Sequence, residues 1–299
     1  MSPRTSVWGV NLPPVAGGPR RPGAPPGRRR RIHTSKAARR QPAGVQIVGY
    51  ERGIGDGADS PALRLADGSG SLERVVLAPG VELSYSLDER HCAGVVDGDV
   101  HVACDAPAAP YCDEHTDRWA CARCTGGCDR PLPACREPHA VYLAAFAPAT
   151  FKVGVTREWR LDRRLREQGA DRAALLRTVA DGRIAREFEA EIAAEVGDRV
   201  RVPAKIRGLH RSVDEAAWAD LLAAHPHEET FAFEYGLALT DRPMRETIAT
   251  GTVRGLKGRV LVLDTAGGTY AVDLRDLLGH DVQAGPTDRD LQASLGAWD

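Results

Sequence analysis

All seven cysteines of this 299-residue chain fall between Cys92 and Cys135, with His115 inside the same span and His139 just beyond it. Their order is Cys92, Cys104, Cys112, His115, Cys121, Cys124, Cys128, Cys135 and then His139. Zinc takes four soft or borderline ligands in a tetrahedron, and two ligands separated by two residues can reach one ion from a single tight turn. Cys112 with His115, and Cys121 with Cys124, have that spacing. The simplest division gives one structural zinc to Cys92, Cys104, Cys112 and His115 and a second to Cys121, Cys124, Cys128 and Cys135. His139 can replace Cys128 or Cys135, and an interleaved pairing also satisfies the spacing. Two closed sites would tie down a segment with too few apolar residues for its own core. Scattered reduced thiols are the bland alternative, and a redox pair at Cys121 and Cys124 needs a βαβ context that the segment lacks.

Directly after the cysteines the chain reads PHAVYLAAFAPATFKVGVTREWRLDRRLREQGA from Pro138, and GLKGRVLVLD follows near the end. With the cysteines, these stretches resemble an uncharacterised prokaryotic family, domain of unknown function 2797, from about Val45 to His280; that family name implies no activity. Tyr111, Cys112 and His115 also resemble the Tyr-Cys-x-x-His end of a small zinc module. Within the longer match, residues 139 to about 196 resemble the GIY-YIG nuclease superfamily. Ala140, Val141 and Tyr142 stand for its first signature, and Lys152, Val153 and Gly154, followed by Thr156, for its second. Arg164, or next Arg163, matches its helical arginine, and Glu189, in preference to Glu187, its metal-holding glutamate. The chain departs from the pattern in having Lys152 in place of Tyr and Ala140 in place of Gly.

That resemblance implies a small three-stranded sheet flanked by helices, and phosphodiester cleavage of DNA or RNA. Such cleavage needs a base, cations near the phosphoryl oxygens and a metal at the leaving oxygen. Tyr142 would be the base, Arg164 and Lys152 the cations, and Glu189 the ligand of one Mg²⁺ or Mn²⁺. Each residue also has a plain structural reading. Tyr142 reads as a core aromatic with its hydroxyl at the rim. Arg160, Arg163, Arg164 and Arg166 read as a solvated helix face with Glu167 and Asp162 as partners, and Glu187, Glu189 and Glu191 as an exposed stripe. Without catalysis, the same features suit a zinc-dependent nucleic-acid-binding module or a protein-interaction scaffold.

Charge limits these options. Ten of the 40 basic residues and none of the 41 acidic ones lie in residues 1–50, so the remainder carries 30 against 41, about −11. That charge argues against broad, unspecific affinity of the body for nucleic acid, so binding would have to come from a local patch. No run approaches the roughly 18 apolar residues of a membrane helix. The amino terminus carries Arg, Pro and Gly in place of an apolar signal segment, which points to a cytoplasmic, reducing setting in which clustered cysteines serve metals. Oligomeric state is left open.

The elements expected to position these residues fall in five segments. Residues 1–44 read as a disordered basic Pro/Gly/Arg tail, 45–90 as a β-rich module, 91–139 as the zinc segment, 140–226 as the GIY-YIG-like α/β unit with a helical extension, and 227–299 as a second β-rich module. VYLAAFA and FKVGVT form a hairpin, RLDRRLREQ a helix ending near Gly169, and RIAREFEAEIAAEV a helix closed by Gly197. A further helix opens with a Ser212/Glu215 capping box. AALLRTVA, residues 173–180, scores locally as helix but is assigned to a strand. GLKGR reads as a turn between strands, and His225 and His227 as loop residues. The expected class is α+β, a zinc-ribbon-like segment followed by a three-stranded sheet with flanking helices, between β-rich ends.

Overall fold

The computed structural model describes residues 44–53, 60–116, 126–128, 133–287, 289 and 291. Strands β1 (Val45–Glu51), β2 (Ala62–Ala66), β3 (Leu72–Val76) and β4 (Glu82–Arg90) come first, then the short hairpin β5 (Val95–Asp97) and β6 (Val100–Val102). The middle of the chain forms β7 (His139–Phe146), β8 (Thr150–Arg157), α1 (Leu161–Gln168), β9 (Arg172–Val179), α2 (Gly182–Val196), α3 (Val202–Gly208), α4 (Glu215–Ala224) and β10 (Glu229–Ala232). The last part forms β11 (Met244–Arg245), β12 (Ala249–Lys257), β13 (Val260–Thr265), β14 (Gly268–Asp273), α5 (Leu274–Leu277) and β15 (His280–Ala284).

The expected architecture is overturned at both ends and in the middle. The β-rich ends are one nine-stranded mixed sheet, ordered β11-β14-β13-β12-β4-β15-β1-β2-β3, in which β11 and β14 alone run parallel. Two long-range pairings join the ends: β12 pairs with β4 through Gly251 and Leu83, and β15 sits between β4 and β1, with Val282 opposite both Leu87 and Val45. The cause is an apolar set that neither half can bury alone. Ile47, Leu63, Leu65 and Leu83 from the first half close on Val253, Leu261, Leu263, Tyr270 and Val272 from the second.

The middle sheet has four antiparallel strands, β10-β9-β7-β8, in place of three. Its fourth strand arises because Phe231 and Phe233 bury against the face of the sheet that carries Tyr142 and Phe146, bringing β10 alongside β9. Strand β7 is apolar along nearly its whole length because both its faces are covered. Ala140, Tyr142, Ala144 and Phe146 pack with Leu161 and Leu165 of α1, while Val141, Leu143 and Ala145 pack with Ala185 of α2 and Trp218 of α4. The same two-sided burial settles residues 172–179 as β9: Ala173 faces one cluster and Ala174 and Leu176 the other, an alternation only a strand provides.

Helix ends follow local chemistry. Gly169 ends α1 in the left-handed region at φ 69°, and the Asp181 carboxylate accepts from the Arg183 N–H at the start of α2. The Ser212/Glu215 capping box is not formed. Asp214 caps α4 by accepting from the Ala217 N–H, because its own N–H is held by the Pro148 carbonyl and Glu215 pairs with Arg172.

The two sheets meet at the GLKGR turn. Gly258, at φ 62°, lies so close to Gln168 and Gly169 that an added Cβ would come within 2.8 Å of their backbone. Beside it, Lys257 pairs with Asp171 at 2.5 Å, and Asp171 also accepts from the Ala147 N–H at 2.9 Å. Helix α3 packs Val202 and Ile206 on Val260, Val262 and Ala271. The end of α1 is thereby fixed against the nine-stranded sheet.

Candidate functional site

Two sets of side chains could do chemistry. The first follows β4. Cys92, Cys104, Cys112 and His115 place their ligand atoms within 4.8 Å of one another. The His115 Nδ1 lies 3.3 Å from both Cys92 Sγ and Cys112 Sγ. One turn presents two of the ligands, since the N–H groups of His115 and Thr116 both donate to the Cys112 carbonyl. The knot is pinned from outside: the Cys92 N–H donates to the Ala106 carbonyl, and the His91 N–H to the Gly279 carbonyl in the turn before β15. Gly94 is required here, since at φ 61° an added Cβ would lie 2.1 Å from the Val102 carbonyl.

This donor set fits a metal ion such as zinc: three sulfurs and one imidazole, with mutual separations suited to a tetrahedron. Burial pushes the Cys104 thiol up to about 11, with Cys92 adding to the effect. At Cys112 burial acts in the same direction but is outweighed by the His115 and Glu114 N–H groups, which hold its thiol below the ordinary value. A dication is what would hold all three as thiolates. Of the second expected set, Cys121 and Cys124 lie outside the described residues, and Cys128 and Cys135 do not join the first knot.

The second set lines a cavity of about 610 Å³ beside β8, the edge strand of the four-stranded sheet. Tyr142, Lys152, Arg164 and Glu189 all line it, from β7, β8, α1 and α2 respectively. Gly154 opposes Tyr142 across the hairpin, and an added Cβ there would lie 2.6 Å from the phenol, so the glycine makes room for the ring. Gln168 Nε2 donates to the Tyr142 hydroxyl at 2.5 Å, Lys152 Nζ donates to the Asp198 carbonyl at 2.8 Å, and Arg186 holds Glu189 at 2.5 Å. Arg163 lines a different cleft, and Glu187 turns toward Gly126, so Arg164 and Glu189 are the members of each pair that reach this cavity.

The cavity is strongly cationic. Lys152, Arg157, Arg160, Arg164, Arg183, Arg186 and Arg199 line it against only Glu189 and Asp198. Burial is the main reason the Lys152 ammonium is pulled down to about 8, with Glu189 opposing and Arg164 assisting. Behind it, Lys205 donates to the Gln168 carbonyl at 2.7 Å and lies 4.3 Å from the centre of the Phe146 ring. Burial and then Lys152 pull Lys205 down to about 7. Burial raises the Tyr142 hydroxyl, and Arg164 acts against that rise.

One carboxylate organises the arginines of α1. Glu167, whose side chain is 6% exposed, lies within 3.4 Å of Arg160, Arg163 and Arg164 and 3.9 Å from Arg52, while Arg166 pairs with Asp162. The expected pairing of these arginines with Glu167 and Asp162 is therefore present, and Arg160 and Arg164 line the cavity as well. Burial raises the Glu167 carboxyl, but Arg52, Arg160 and Arg164 outweigh it and hold the group below the usual carboxylate range.

Sequence reasoning did not single out Arg157, Arg183, Arg186 or Lys205. The one available signal was the Arg186/Glu189 spacing of three on α2, which puts both on one helix face. Lys205 and Asp198 reach the site through the fold alone.

These features define a strand-rich protein with a Cys3His group that could hold a metal ion and an arginine-lined cavity at a sheet edge. Residues 108–282 match the family model described as protein of unknown function (DUF2797). That is more than half of the chain, and the chain belongs to this family. The match begins within the cysteine segment, not at Val45. No curated protein and no solved structure matches the chain. Among the described residues, no helix is long and apolar enough to cross a membrane.

Proposed function

We propose that this protein holds a nucleic-acid strand by a backbone phosphate in the cavity beside β8. Lys152 and Arg164 face the phosphoryl oxygens, and Arg157, Arg160 and Arg183 continue the positive surface to either side. The observation that carries the reading is the gathering of seven Lys and Arg side chains around one cavity in a body whose net charge is negative. Glu137, Glu167, Glu189 and Asp198 pair with five of these seven cations, which leaves more positive than negative groups at the cavity; that excess favours an anionic ligand, and guanidinium groups suit phosphate geometry. The Cys92–His115 knot carries a structural zinc, and Cys121, Cys124, Cys128 and Cys135 hold a second. A cytoplasmic setting keeps these thiols reduced.

Hydrolysis is the second reading, favoured by Glu189, the one carboxylate side chain that the cavity gathers from its helical wall. A single carboxylate together with substrate oxygens is a usual way to seat Mg²⁺, which keeps several waters. Mg²⁺ or Mn²⁺ at Glu189 would supply the charge that the leaving oxygen needs. Tyr142 would act as base, with Arg164 favouring its ionised form against burial.

The test uses the full chain with labelled oligonucleotides. Binding that weakens steeply with salt is expected, as is cleavage in Mg²⁺ or Mn²⁺. Arg164→Ala should lower both by about tenfold or more, and Glu189→Gln should abolish cleavage while leaving binding. Cleavage that survives both changes rules out the hydrolytic reading, and an absence of binding at low salt rules out the phosphate site.

A further inference from the structure

Trp159 is 66% exposed, the most exposed of the large hydrophobic side chains among the described residues. It is nevertheless held in place. Its Nε1–H donates to Glu137 Oε2 at 3.2 Å, and the same carboxylate accepts from Arg157 at 3.2 Å. The Arg157 guanidinium sits 4.8 Å from the ring centre and that of Arg160 5.8 Å. Both arginines line the cavity beside β8. Trp159 also lines a second cleft of about 760 Å³ together with Arg52, Arg163 and Arg166 and with the carboxylates Asp162 and Glu234. The short turn Glu158–Arg160 and helix α1 therefore form a ridge, with guanidinium groups on both flanks and a fixed indole on its crest.

A tryptophan needed only for packing would be buried, and this one buries little of its ring. A fixed, exposed aromatic ring beside a cavity lined by cations, with further arginines beyond it, matches what an unpaired base requires when its neighbouring phosphates sit on cations. A duplex keeps its bases stacked inside and offers the ring nothing.

Building on the phosphate site proposed above, we infer that the ligand is a single-stranded nucleic acid that crosses this ridge, with one unpaired base stacked on Trp159. One flanking phosphate lies in the cavity with Arg164, and the strand continues past Arg163 and Arg166. Trp159 thus selects single strands over duplex, and the arginines supply the affinity common to both.

The experiment measures equilibrium binding of the full chain, without divalent metal, to a labelled 12-nucleotide single strand, to the same sequence as a duplex, and to inorganic phosphate. The wild type is compared with Trp159→Ala, Trp159→Phe and Arg164→Ala. Trp159→Ala is expected to bind the single strand about tenfold more weakly and the duplex unchanged, a loss typical of removing one stacked base. Trp159→Phe should keep most of the single-strand affinity, and Arg164→Ala should lose both. Wild-type affinity for the single strand in Trp159→Ala, with loss in Arg164→Ala, overturns the stacking role and leaves the phosphate site standing. Equal losses for single strand and duplex in Trp159→Ala overturn the preference for unpaired bases. Failure of the wild type to bind either strand overturns both.

Discussion

The cysteine knot and the arginine-lined cavity both gather groups that are unstable when left to themselves, and they resolve that instability in opposite ways. In the knot, Cys92, Cys104, Cys112 and His115 bring their ligand atoms within 4.8 Å of one another. In the cavity, cations from β8, α1 and α2 line an open space of about 610 Å³, and four carboxylates, Glu137, Glu167, Glu189 and Asp198, pair with five of the seven. A convergent set of metal donors suits an ion kept as part of the fold, whereas an open cavity with more cations than carboxylates suits a ligand that comes and goes. The contrast sets a group that could hold a metal ion against an open cavity.

Removing a knot ligand should show the largest effect. Cys112→Ser is expected to remove one equivalent of zinc by elemental analysis and to destabilise the chain by about 3 kcal/mol or more, because thiolate–metal bonds contribute directly to folding. An unchanged zinc content and melting curve would erase the distinction between the two sites.

A middle-sized effect is expected at Glu167, which stands between structure and site. Its buried carboxylate gathers the partly exposed Arg160, Arg163 and Arg164. Glu167→Gln should cost about 2 kcal/mol, read from denaturant unfolding, since it leaves guanidinium groups unpaired although partly in solvent. The same variant should leave zinc content untouched, which separates the two regions.

The smallest effect concerns Lys205, which burial and Lys152 pull down to about 7. Because the folded state disfavours the charged form, its cost is full below pH 7 and shrinks as pH rises from 7 toward the unfolded value of 10.5. Lys205→Met should therefore raise Tm by about 2–4 °C at pH 6 and by less at pH 9, measured by calorimetry. A gain independent of pH would mean that packing, not charge, sets the cost.

Local signals in the chain were sufficient for local structure. The left-handed end of α1 at Gly169, the β7–β8 hairpin and the Cys112-x-x-His115 turn each depend on residues a few positions apart, and each stands where the spacing puts it. The Cys3His grouping was legible for the same reason, since zinc chemistry restricts which residues can share an ion. Helix propensity at residues 173–180 gave way to β9 because alternating burial between two packed faces outweighs a few tenths of a kcal/mol per residue.

What the sequence determined by itself, then, was the kind of each element and the residues with chemical potential, because side-chain type and period act over one turn of helix or two residues of strand. Only the tertiary structure decided which strand edges meet. It placed β15 between β4 and β1, added β10 beside β9, and merged both ends into one sheet. It also decided that Lys205 lies beside Lys152 and that Trp159, exposed, stands between the arginine-lined cavity and a second cleft. Partners of that kind are chosen by competition among all unpaired edges and unburied faces at once, a choice that no short stretch of sequence contains.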